Sequence, residues 1–412
     1  MADLSALLGS TAPVDVIVGI PSFNNGATIA HVAKTAVRGI ADYFPDRRGL
    51  ILNSDGGSPD QTPRAAVDAA LRARDDLEAS ARDRIAVSSV RYRGPSGKGS
   101  AFREIFEAAG KLGASAVVVL DADLRSVAPE WIGRLAGPIV SGEVDFVAPL
   151  YRRHKFDGTI TNAIVYPLTD AVFGGGIRQP IGGDFGVSGR LAGLYASKDV
   201  WDTDVARFGI DLWMTTTALA EGFRVAQTHL GAKVHDPKDP GQHLAAMLVQ
   251  VVGTAFALLE TYADVWTMRV LADRAPTFGQ AEPVTLDPVL VDVARMEEQF
   301  RFGVQTLDRI YGLCLPSKVW ADLRASAAGD AGISDTLWAQ IIIHFAIAFH
   351  RRSLARDQLV SSLTPLYLGR TATFIRRNAD RSDDEAEADV QALARVFADV
   401  VRELHRLWKE ES

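Results

Sequence analysis

The sequence predicts an α/β fold in which a doubly wound, mainly parallel sheet is followed by an all-helical C-terminal region. Apolar, β-branched runs alternate with amphipathic helical stretches up to about residue 150, which is the pattern of consecutive β–α units. From about residue 242 onward, apolar residues recur at helical spacing instead. A length of 412 residues is enough for two domains. We therefore expect a sheet domain over residues 1–240 and a helical region over residues 241–412.

Composition and charge exclude several classes of protein. The chain is 47% hydrophobic and 23% charged, with a net charge of −7 and no block of lysine and arginine. A general nucleic-acid or anionic-membrane surface is therefore not expected, and an anionic ligand must be bound by a few local cations. The single cysteine, Cys314, excludes an internal disulfide framework and a cysteine-based zinc site.

No segment is typical of a signal peptide or a membrane span. Residues Met1–Thr11 lack a basic flank and an apolar core. The two most apolar later segments, Leu244–Leu259 and Leu337–Phe349, are short and interrupted by polar residues. We expect a cytoplasmic protein.

Polar loops follow the first two predicted strands. Val14–Ile20 ends at Pro21, and the turn after it contains Asn24. Gly49–Asn53 is followed directly by a loop that contains Asp55. A polar loop after a strand suggests contacts with the base or ribose of a nucleotide, and a turn that leads into a helix cap explains it equally well.

A glycine-rich turn follows the third predicted strand, Ile85–Tyr92. In this turn, Gly97 and Gly99 flank Lys98 at the start of a predicted helix. Backbone amides and an ammonium group placed in this way can approach phosphate oxygens. The spacing is neither that of a P-loop nor that of a dinucleotide-binding motif, so a flexible loop remains the alternative.

Two carboxylates follow the fourth predicted strand, Ala114–Leu120. Asp121 and Asp123 are spaced so that both can address one cation. Ligands of open α/β sheets bind at the carboxyl ends of the strands, where these side chains are expected. The alternative is a pair of solvated turn aspartates.

A cationic segment follows the next strand. Arg152–Lys155 contains four basic residues and is followed by Asp157 and Thr161. A guanidinium group with nearby hydroxyl donors can bind a small carboxylate. A solvated basic turn is the alternative.

Three later features have both structural and functional interpretations. The glycine-rich segment Gly174–Gly186 contains Asp184, and such loops either move or let a ligand approach the backbone. Asp211 precedes a predicted helix and would ordinarily cap it. His235, at a strand end, is either a structural side chain or a third ligand for a divalent ion.

Taken in this order, the features resemble a GT-A glycosyltransferase that uses a nucleotide sugar. The closer resemblance is to the retaining mannosylglycerate synthase and glucosylglycerate synthase group, and it covers about residues 14–270. The segments that carry it are Pro95–Gly99, Asp121–Ser126 with Pro129–Ile132, Arg153 with Asp157 and Thr161, Gln179–Asp184, Gly209–Asp211 and Gly231–His235.

The resemblance implies a GT-A (nucleotide-diphospho-sugar transferase) fold and a metal-dependent, retaining hexosyl transfer. The donor would be a GDP- or UDP-sugar carrying mannose or glucose. The acceptor would be the 2-hydroxyl of D-glycerate or a similar hydroxy acid, and the product a compatible solute. The resemblance assigns a Mg²⁺ or Mn²⁺ ion to Asp123, His235 and Asp121, and the donor to Pro21, Asn24, Asp55, Lys98, Asp121 and Asp184. It assigns the acceptor to Arg153, Asp157 and Thr161. It assigns catalysis to Asp211, Asp184 and Arg153.

The sequence also departs from this group. Ser22–Asn25 replaces charged residues of the mannosyl enzyme after the first strand, and Asp184 stands where the group has glutamate. The base and the hexose are therefore open. The alternatives are a synthase that uses 3-phosphoglycerate, a nucleotidyltransferase, and a non-catalytic nucleotide-sugar-binding protein. The helical region either pairs subunits in a homo-oligomer or closes over the site, and its periodicity does not distinguish these.

Overall fold

The computed structural model describes residues 12–234, 240–268, 271–281, 284, 286 and 289–410. Within these residues, eight strands form one sheet in the order β3-β2-β1-β4-β6-β5-β7-β8. The strands are β1 (Val16–Ser22), β2 (Gly49–Asp55), β3 (Ile85–Arg91), β4 (Ala116–Val119), β5 (Phe146–Arg152), β6 (Phe185–Ser188), β7 (Val225–Ala232) and β8 (Thr277–Phe278).

The sheet is mainly parallel, as predicted. β1 pairs in parallel with both β2 and β4, and β5 pairs in parallel with β7. β6 is antiparallel to both of its neighbours, β4 and β5. The sequence did not predict β6 because it is four residues long and lies in a glycine-rich segment. A Cβ on its Gly186 would lie 2.1 Å from the carbonyl oxygen of Leu135, so the glycine allows a helix to pack closely on this strand.

The helices between the strands follow the predicted β–α alternation. Every residue of β1 and β4 is buried, which is typical of parallel strands covered on both faces. The helices of this part are α1 (Ile29–Tyr43), α2 (Thr62–Asp75), α3 (Ala79–Arg82), α4 (Lys98–Leu112), α5 (Pro129–Val140), α6 (Tyr166–Phe173), α7 (Gly189–Ser197) and α8 (Ile210–Ala220).

The C-terminal part is helical, as predicted. Its helices are α9 (Pro240–Thr261), α10 (Ala263–Trp266), α11 (Val293–Thr306), α12 (Asp308–Cys314), α13 (Ser317–Ala328), α14 (Asp335–His350), α15 (Arg356–Asn378) and α16 (Asp383–Lys409). α15 contains Pro365, which ordinarily interrupts a helix. Close packing stabilises it here, since a Cβ on Gly303 of α11 would lie 2.2 Å from the Pro365 ring.

The described residues form two compact units. The sheet unit is drawn from Met1–Arg152, Gln179–Lys238 and Ala275–Thr285, and the helical unit from Arg153–Arg178, Asp239–Arg274 and Leu286–Ser412. The domain boundary at residues 240 and 241 stays a prediction. Among the described residues, no helix has the length and apolar character that a bilayer span requires.

Candidate active site

The carboxyl ends of the parallel strands in the sheet unit carry a cluster of carboxylates and ammonium groups. Asp121 follows β4 and is contacted on each of its two oxygens. Lys98 Nζ lies 2.8 Å from Oδ1, and Lys233 Nζ lies 2.8 Å from Oδ2. Two lysines at 17% and 5% side-chain exposure therefore fix this carboxylate.

Lys98 is the first residue of α4 and links Asp121 to Asp211. Its Nζ lies 3.1 Å from Asp211 Oδ1 and 3.4 Å from the carbonyl oxygen of Gly183. Burial disfavours the ammonium charge, but the carboxylates of Asp121 and Asp211 outweigh this effect and raise the pKa of Lys98. The residue therefore keeps its positive charge at the amino terminus of a helix, where the helix dipole also favours an anion.

The glycines beside Lys98 have a packing role. A Cβ on Gly97 would lie 2.4 Å from the carbonyl oxygen of Ala206, and a Cβ on Gly99 would lie 1.8 Å from that of Val205. The first turn of α4 therefore packs directly against a short 3₁₀ helix, Asp204–Ala206. This close packing fixes the position from which Lys98 reaches the two aspartates.

Asp211 is the second residue of α8, and it does not cap that helix. The residue before α8 is Gly209, and no side chain caps its amino terminus. The Asp211 carboxylate is turned toward Lys98 and is 8% exposed. Burial raises the pKa of Asp211, and the Asp121 carboxylate raises it further, while Lys98 acts in the opposite direction.

Asp184 precedes β6 and is fully buried within the cluster. Its Oδ1 accepts a hydrogen bond from the backbone N–H of Asp121 at 2.7 Å. Its Oδ2 accepts hydrogen bonds from Tyr151 at 2.5 Å and from Lys233 at 2.9 Å. Burial raises the pKa of Asp184, while the ammonium group of Lys233 favours the ionised form.

The predicted nucleotide residues lie at the ends of β1 and β2. Asp55 is fully buried, and four hydrogen bonds from Ser22, Gly57 and Ser58 at 2.7–2.8 Å reach its carboxylate. These use its four acceptor positions, so the turn interpretation explains this residue. Asn24 is exposed in a left-handed conformation, with a φ of 57°, and its N–H donates to Ser58.

The remaining predicted donor residue is Pro21. It is buried within β1, where it pairs in register with Ser54 of β2.

The predicted metal ligands are only partly described. Asp123 is 7% exposed at the tip of the β4 segment, and Asp121 lies two residues before it. His235 lies outside the described residues. Within the residues that are described, no group of three His, Cys, Asp or Glu side chains is placed to hold a metal ion. The two carboxylates supply the hard oxygen atoms that Mg²⁺ and Mn²⁺ prefer, so the donor set fits such an ion as far as it is described.

The predicted acceptor residues belong to the helical unit. Arg153 Nη1 lies 3.5 Å from Asp157 Oδ2, so these two side chains are brought together. Thr161 is 7% exposed and begins a π-helical turn, Thr161–Val165, which continues into α6. Such turns are frequent at functional sites.

Lys155, in the same cationic segment, contributes to the structure of the helical unit. Its Nζ donates to the carbonyl oxygens of Ala379 at 3.0 Å and Arg381 at 2.5 Å. Its backbone N–H donates to Asp383 at the start of α16. This lysine therefore fixes the connection between α15 and α16.

The sequence did not predict Lys233 or Tyr151 as site residues. Lys233 was visible only as a residue two positions before the predicted metal histidine. A lysine is rarely buried unless it is paired. The one available signal was the number of aspartates predicted at this edge, since several buried carboxylates require more than one cation.

Comparisons with known proteins identify similar sequences. No protein-family model matches the chain. Glucosyl-3-phosphoglycerate synthase of Mycobacterium tuberculosis is 25% identical over 262 residues, which cover 58% of this chain and 72% of that protein. The enzyme of the same name from Mycobacterium bovis matches with the same values.

The solved structures that match this chain include two of a glucosyl-3-phosphoglycerate synthase. The crystal structure of glucosyl-3-phosphoglycerate synthase from Mycobacterium tuberculosis in complex with Mn²⁺, uridine diphosphate and phosphoglyceric acid has a TM-score of 0.45 and 23% identity, and covers 62% of this chain and 81% of that chain. A complex of that enzyme with Mg²⁺ and uridine diphosphate has a TM-score of 0.44 and 22% identity, and covers 63% and 84%. The sequence similarity confirms the resemblance predicted from the motifs: this chain is similar to the glucosyl-3-phosphoglycerate synthases, a type of GT-A glycosyltransferase.

Proposed function

We propose that this protein is a metal-dependent, retaining hexosyltransferase that moves a hexose from a nucleotide sugar to a glycerate-type acceptor. The observation that carries the proposal is the cluster in which Lys98 joins Asp121 to Asp211 at the carboxyl ends of the strands. The sequence similarity to glucosyl-3-phosphoglycerate synthase supports the same reaction class.

The leaving group of such a transfer is a nucleoside diphosphate, which carries negative charge as it departs. Lys98 is charged and lies at the amino terminus of α4, so it is suited to bind a phosphate oxygen. Asp123 and His235, with Asp121 directly or through water, would hold a divalent ion. When bound, that ion would neutralise charge on the diphosphate.

Asp211 is the residue we place beside the anomeric carbon. Its carboxylate contacts Lys98, so the groups proposed for the sugar and for the diphosphate are 3.1 Å apart. We favour attack by the acceptor on the same face as the departing diphosphate, with Asp211 stabilising positive charge on the sugar. Trapping of a glycosyl group on Asp211 would contradict this choice.

We propose that Arg153 binds the acceptor carboxylate. Asp157 lies in the same loop, and Thr161 lies at the start of the helical turn that follows it. The name of the sequence relatives favours 3-phosphoglycerate as the acceptor. The bonding of Lys155 favours glycerate, because that cation is used within the helical unit and is not available to a phosphate. The experiment below therefore includes both D-glycerate and 3-phosphoglycerate.

The proposal also concerns the hexose and the base of the donor. The name of the relatives favours glucose over mannose. The base is assigned neither to uracil nor to guanine by any described contact. A mannosylglycerate synthase with GDP-mannose remains the second form of the same reaction. A cytoplasmic location and a homo-oligomer formed through the helical region stay predictions.

The experiment is a matrix of UDP-glucose, GDP-glucose and GDP-mannose against D-glycerate, 3-phosphoglycerate, glycolate and lactate, with Mn²⁺ or Mg²⁺ and with chelator. We expect nucleoside diphosphate release with one donor and a glycerate-type acceptor, and its loss with chelator. Release of inorganic diphosphate would instead indicate a nucleotidyltransferase. Binding of a nucleotide sugar without turnover with any acceptor would indicate a non-catalytic binding protein.

A further inference from the structure

The backbone at the end of β5 is held by a side chain from another segment, opposite an irregularity in the neighbouring strand β7. Leu150 pairs with His229 and Tyr151 pairs with Gly231, so Leu230 of β7 is the extra residue of a β-bulge opposite this strand end. Gln179 satisfies the backbone there, because its Nε2 donates to the Tyr151 carbonyl oxygen at 2.9 Å and its Oε1 accepts from the Tyr151 N–H at 3.1 Å. The Tyr151 backbone is thereby fixed in a position from which the Tyr151 hydroxyl donates a hydrogen bond to Asp184.

Two glycines bring the segment that follows Gln179 against this strand end. A Cβ on Gly182 would lie 2.1 Å from the ring of Pro149 in β5. Gly183 has a φ of 93°, and a Cβ there would lie 2.3 Å from Asp121 Oδ2 and 2.5 Å from Lys233 Nζ. A side chain at residue 182 or 183 would therefore overlap with β5 or with Lys233.

The Asp184 carboxylate is bonded within the protein on both oxygens. It accepts hydrogen bonds from Asp121, Tyr151 and Lys233, and its exposure is 0%. A side chain that contacts a sugar hydroxyl must present an oxygen to the site. The geometry of Asp184 instead suits a residue that holds its neighbours in place.

Lys233 is the neighbour that Asp184 holds. Its ammonium group donates to Asp184 Oδ2 at 2.9 Å, to Asp121 Oδ2 at 2.8 Å and to the carbonyl oxygen of Gly182 at 2.8 Å. It also lies 5.3 Å from the centre of the Tyr151 ring. These contacts fix the orientation in which it meets Asp121.

We propose that Tyr151, Asp184 and Lys233 are positioning residues, which together orient Asp121 at the site where Lys98 and a divalent ion would bind the nucleoside diphosphate. Asp184 acts through Lys233 and the Asp121 backbone and does not contact the transferred sugar. The sequence Gln-Pro-Ile-Gly-Gly-Asp is then a clamp: Gln179 holds the Tyr151 backbone, the two glycines allow the close approach, and Asp184 binds Tyr151 and Lys233. This inference rests on the proposed function for the identity of the ligand.

The test compares binding of UDP and of UDP-glucose by calorimetry in the presence of Mn²⁺, or of GDP and GDP-mannose if the donor matrix selects those. We expect Asp184→Asn to weaken both ligands by the same factor, about 10- to 100-fold, because the diphosphate site is disturbed and no sugar contact is lost. The overturning result is weaker binding of the sugar nucleotide with unchanged binding of the free nucleotide.

Tyr151→Phe is the milder variant, since it removes one hydrogen bond to Asp184 and keeps the ring. It should weaken the two ligands equally, and less than Asp184→Asn does. Lys233→Met should resemble Asp184→Asn, and Lys233→Arg should recover part of the loss. The matched control is Lys198→Met, which removes a surface ion pair with Glu221 and should leave both affinities unchanged. A Lys233→Met variant that binds like the wild type would overturn the proposal.

A second readout is independent of the proposed function. Tm values of Tyr151→Phe, Asp184→Asn and the double variant form a cycle that needs no ligand. We expect the Tm decrease of the double variant to be smaller than the sum of the two single decreases, because both changes break one unit. Additive decreases would overturn the clamp. Absence of nucleotide binding in the wild type would overturn the proposed function and leave this cycle as the test of the clamp.

Discussion

At the scale of single residues, the candidate site contains more carboxylates than ammonium groups, and both of its lysine side chains are held in place by hydrogen bonds. Its charged side chains give +2 from the lysines and −4 from the aspartates, a balance of −2 with all groups ionised. The residues counted are Lys98, Lys233, Asp121, Asp123, Asp184 and Asp211. A site of this balance attracts a cation, and Lys98 is placed to contact an anion, which is the pairing that a metal diphosphate requires.

Lys98 is the residue whose charge we expect to matter most for turnover. Lys98→Met keeps much of the side-chain volume and removes the ammonium group between Asp121 and Asp211. We predict that kcat falls about 100- to 1000-fold, the range seen when a donor that stabilises a departing charge is lost. The measurement is the rate of nucleoside diphosphate release, with circular dichroism to verify folding. Lys198→Met is the control, and a Lys98→Met variant with unchanged kcat would remove Lys98 from the proposed mechanism.

Most of the charged residues of the site were predicted from the sequence. Lys98, Asp121, Asp184 and Asp211 were predicted from separate motifs, and the structure brings them together. Lys233 could not be predicted in the same way, because its role depends on its burial and on hydrogen bonds to residues that are distant in the sequence. For Asp211, its position before a helix favoured a cap, the resemblance assigned it to the site, and the structure shows its contact with Lys98.

At the scale of elements, the start of α4 depends on close approach to the 3₁₀ helix. Gly99→Ala places a Cβ 1.8 Å from a backbone oxygen, so we predict a loss of about 1–3 kcal/mol in the free energy of unfolding. Gly110→Ala is the matched change in the same helix, where a Cβ would meet nothing within 4 Å. It should stabilise the protein by about 0.5–1 kcal/mol. Urea denaturation of both variants measures the difference, and equal effects would contradict the packing role of Gly99.

A second element-scale prediction concerns the start of β5. Asp145 is 5% exposed, and Arg224 Nε lies 3.0 Å and Arg190 Nη2 3.3 Å from its carboxylate oxygens. Burial opposes ionisation of Asp145, but the hydrogen bonds from the two arginines outweigh it and lower its pKa. A lowered pKa in the folded state means that the ionised carboxylate stabilises the fold above the unfolded pKa, and that this contribution is lost as pH falls.

Asp145→Asn should therefore lower the free energy of unfolding at pH 7. We predict about 1 kcal/mol, because both arginine side chains are more than half exposed and solvent screens them. The difference between wild type and variant should shrink as pH falls below about 4, near the pKa of an unfolded aspartate. Denaturation midpoints across pH 3–7 measure it. A constant difference over this range would contradict the ionic origin of the effect.

Elements of the fold were predictable where local pattern and tertiary packing agree. β1, β2 and β4 are apolar runs bounded by polar residues, and they form the buried centre of the sheet. β6 was not predicted because it is short and contains glycine, and α15 forms within the predicted helical region although it contains proline. The structure explains both exceptions by close packing, on Leu135 for β6 and on Gly303 for α15.

At the scale of the whole molecule, the chain leaves the sheet unit after Arg152 and returns to it at Gln179. The inserted segment holds the predicted acceptor residues, and its contacts with the C-terminal helices are extensive. Trp338 Nε1 donates to the Ala163 carbonyl oxygen at 2.6 Å, and Arg178 forms two hydrogen bonds with Glu387 at 2.7–2.8 Å. The predicted acceptor loop is thus built from the helical unit, which sequence periodicity did not indicate.

Arg153 is the residue that tests the acceptor assignment. Arg153→Ala removes the guanidinium group proposed for the acceptor carboxylate. We predict an increase of about 10- to 100-fold in the KM of the acceptor, equivalent to loss of one charge-assisted contact, with the donor KM nearly unchanged. The matched control is Arg64→Ala, which removes an exposed ion pair with Asp68. An unchanged acceptor KM would remove Arg153 from the acceptor site.

The most direct test of the central claim is the proton NMR spectrum of the sugar product formed by the wild-type protein from UDP-glucose, or from the donor that the matrix selects, with a glycerate-type acceptor and Mn²⁺. We predict a single new anomeric signal in the configuration of the donor, absent when the metal is chelated. A product of inverted configuration, or no new anomeric signal with any donor and acceptor, would contradict the claim that this chain is a retaining, metal-dependent hexosyltransferase.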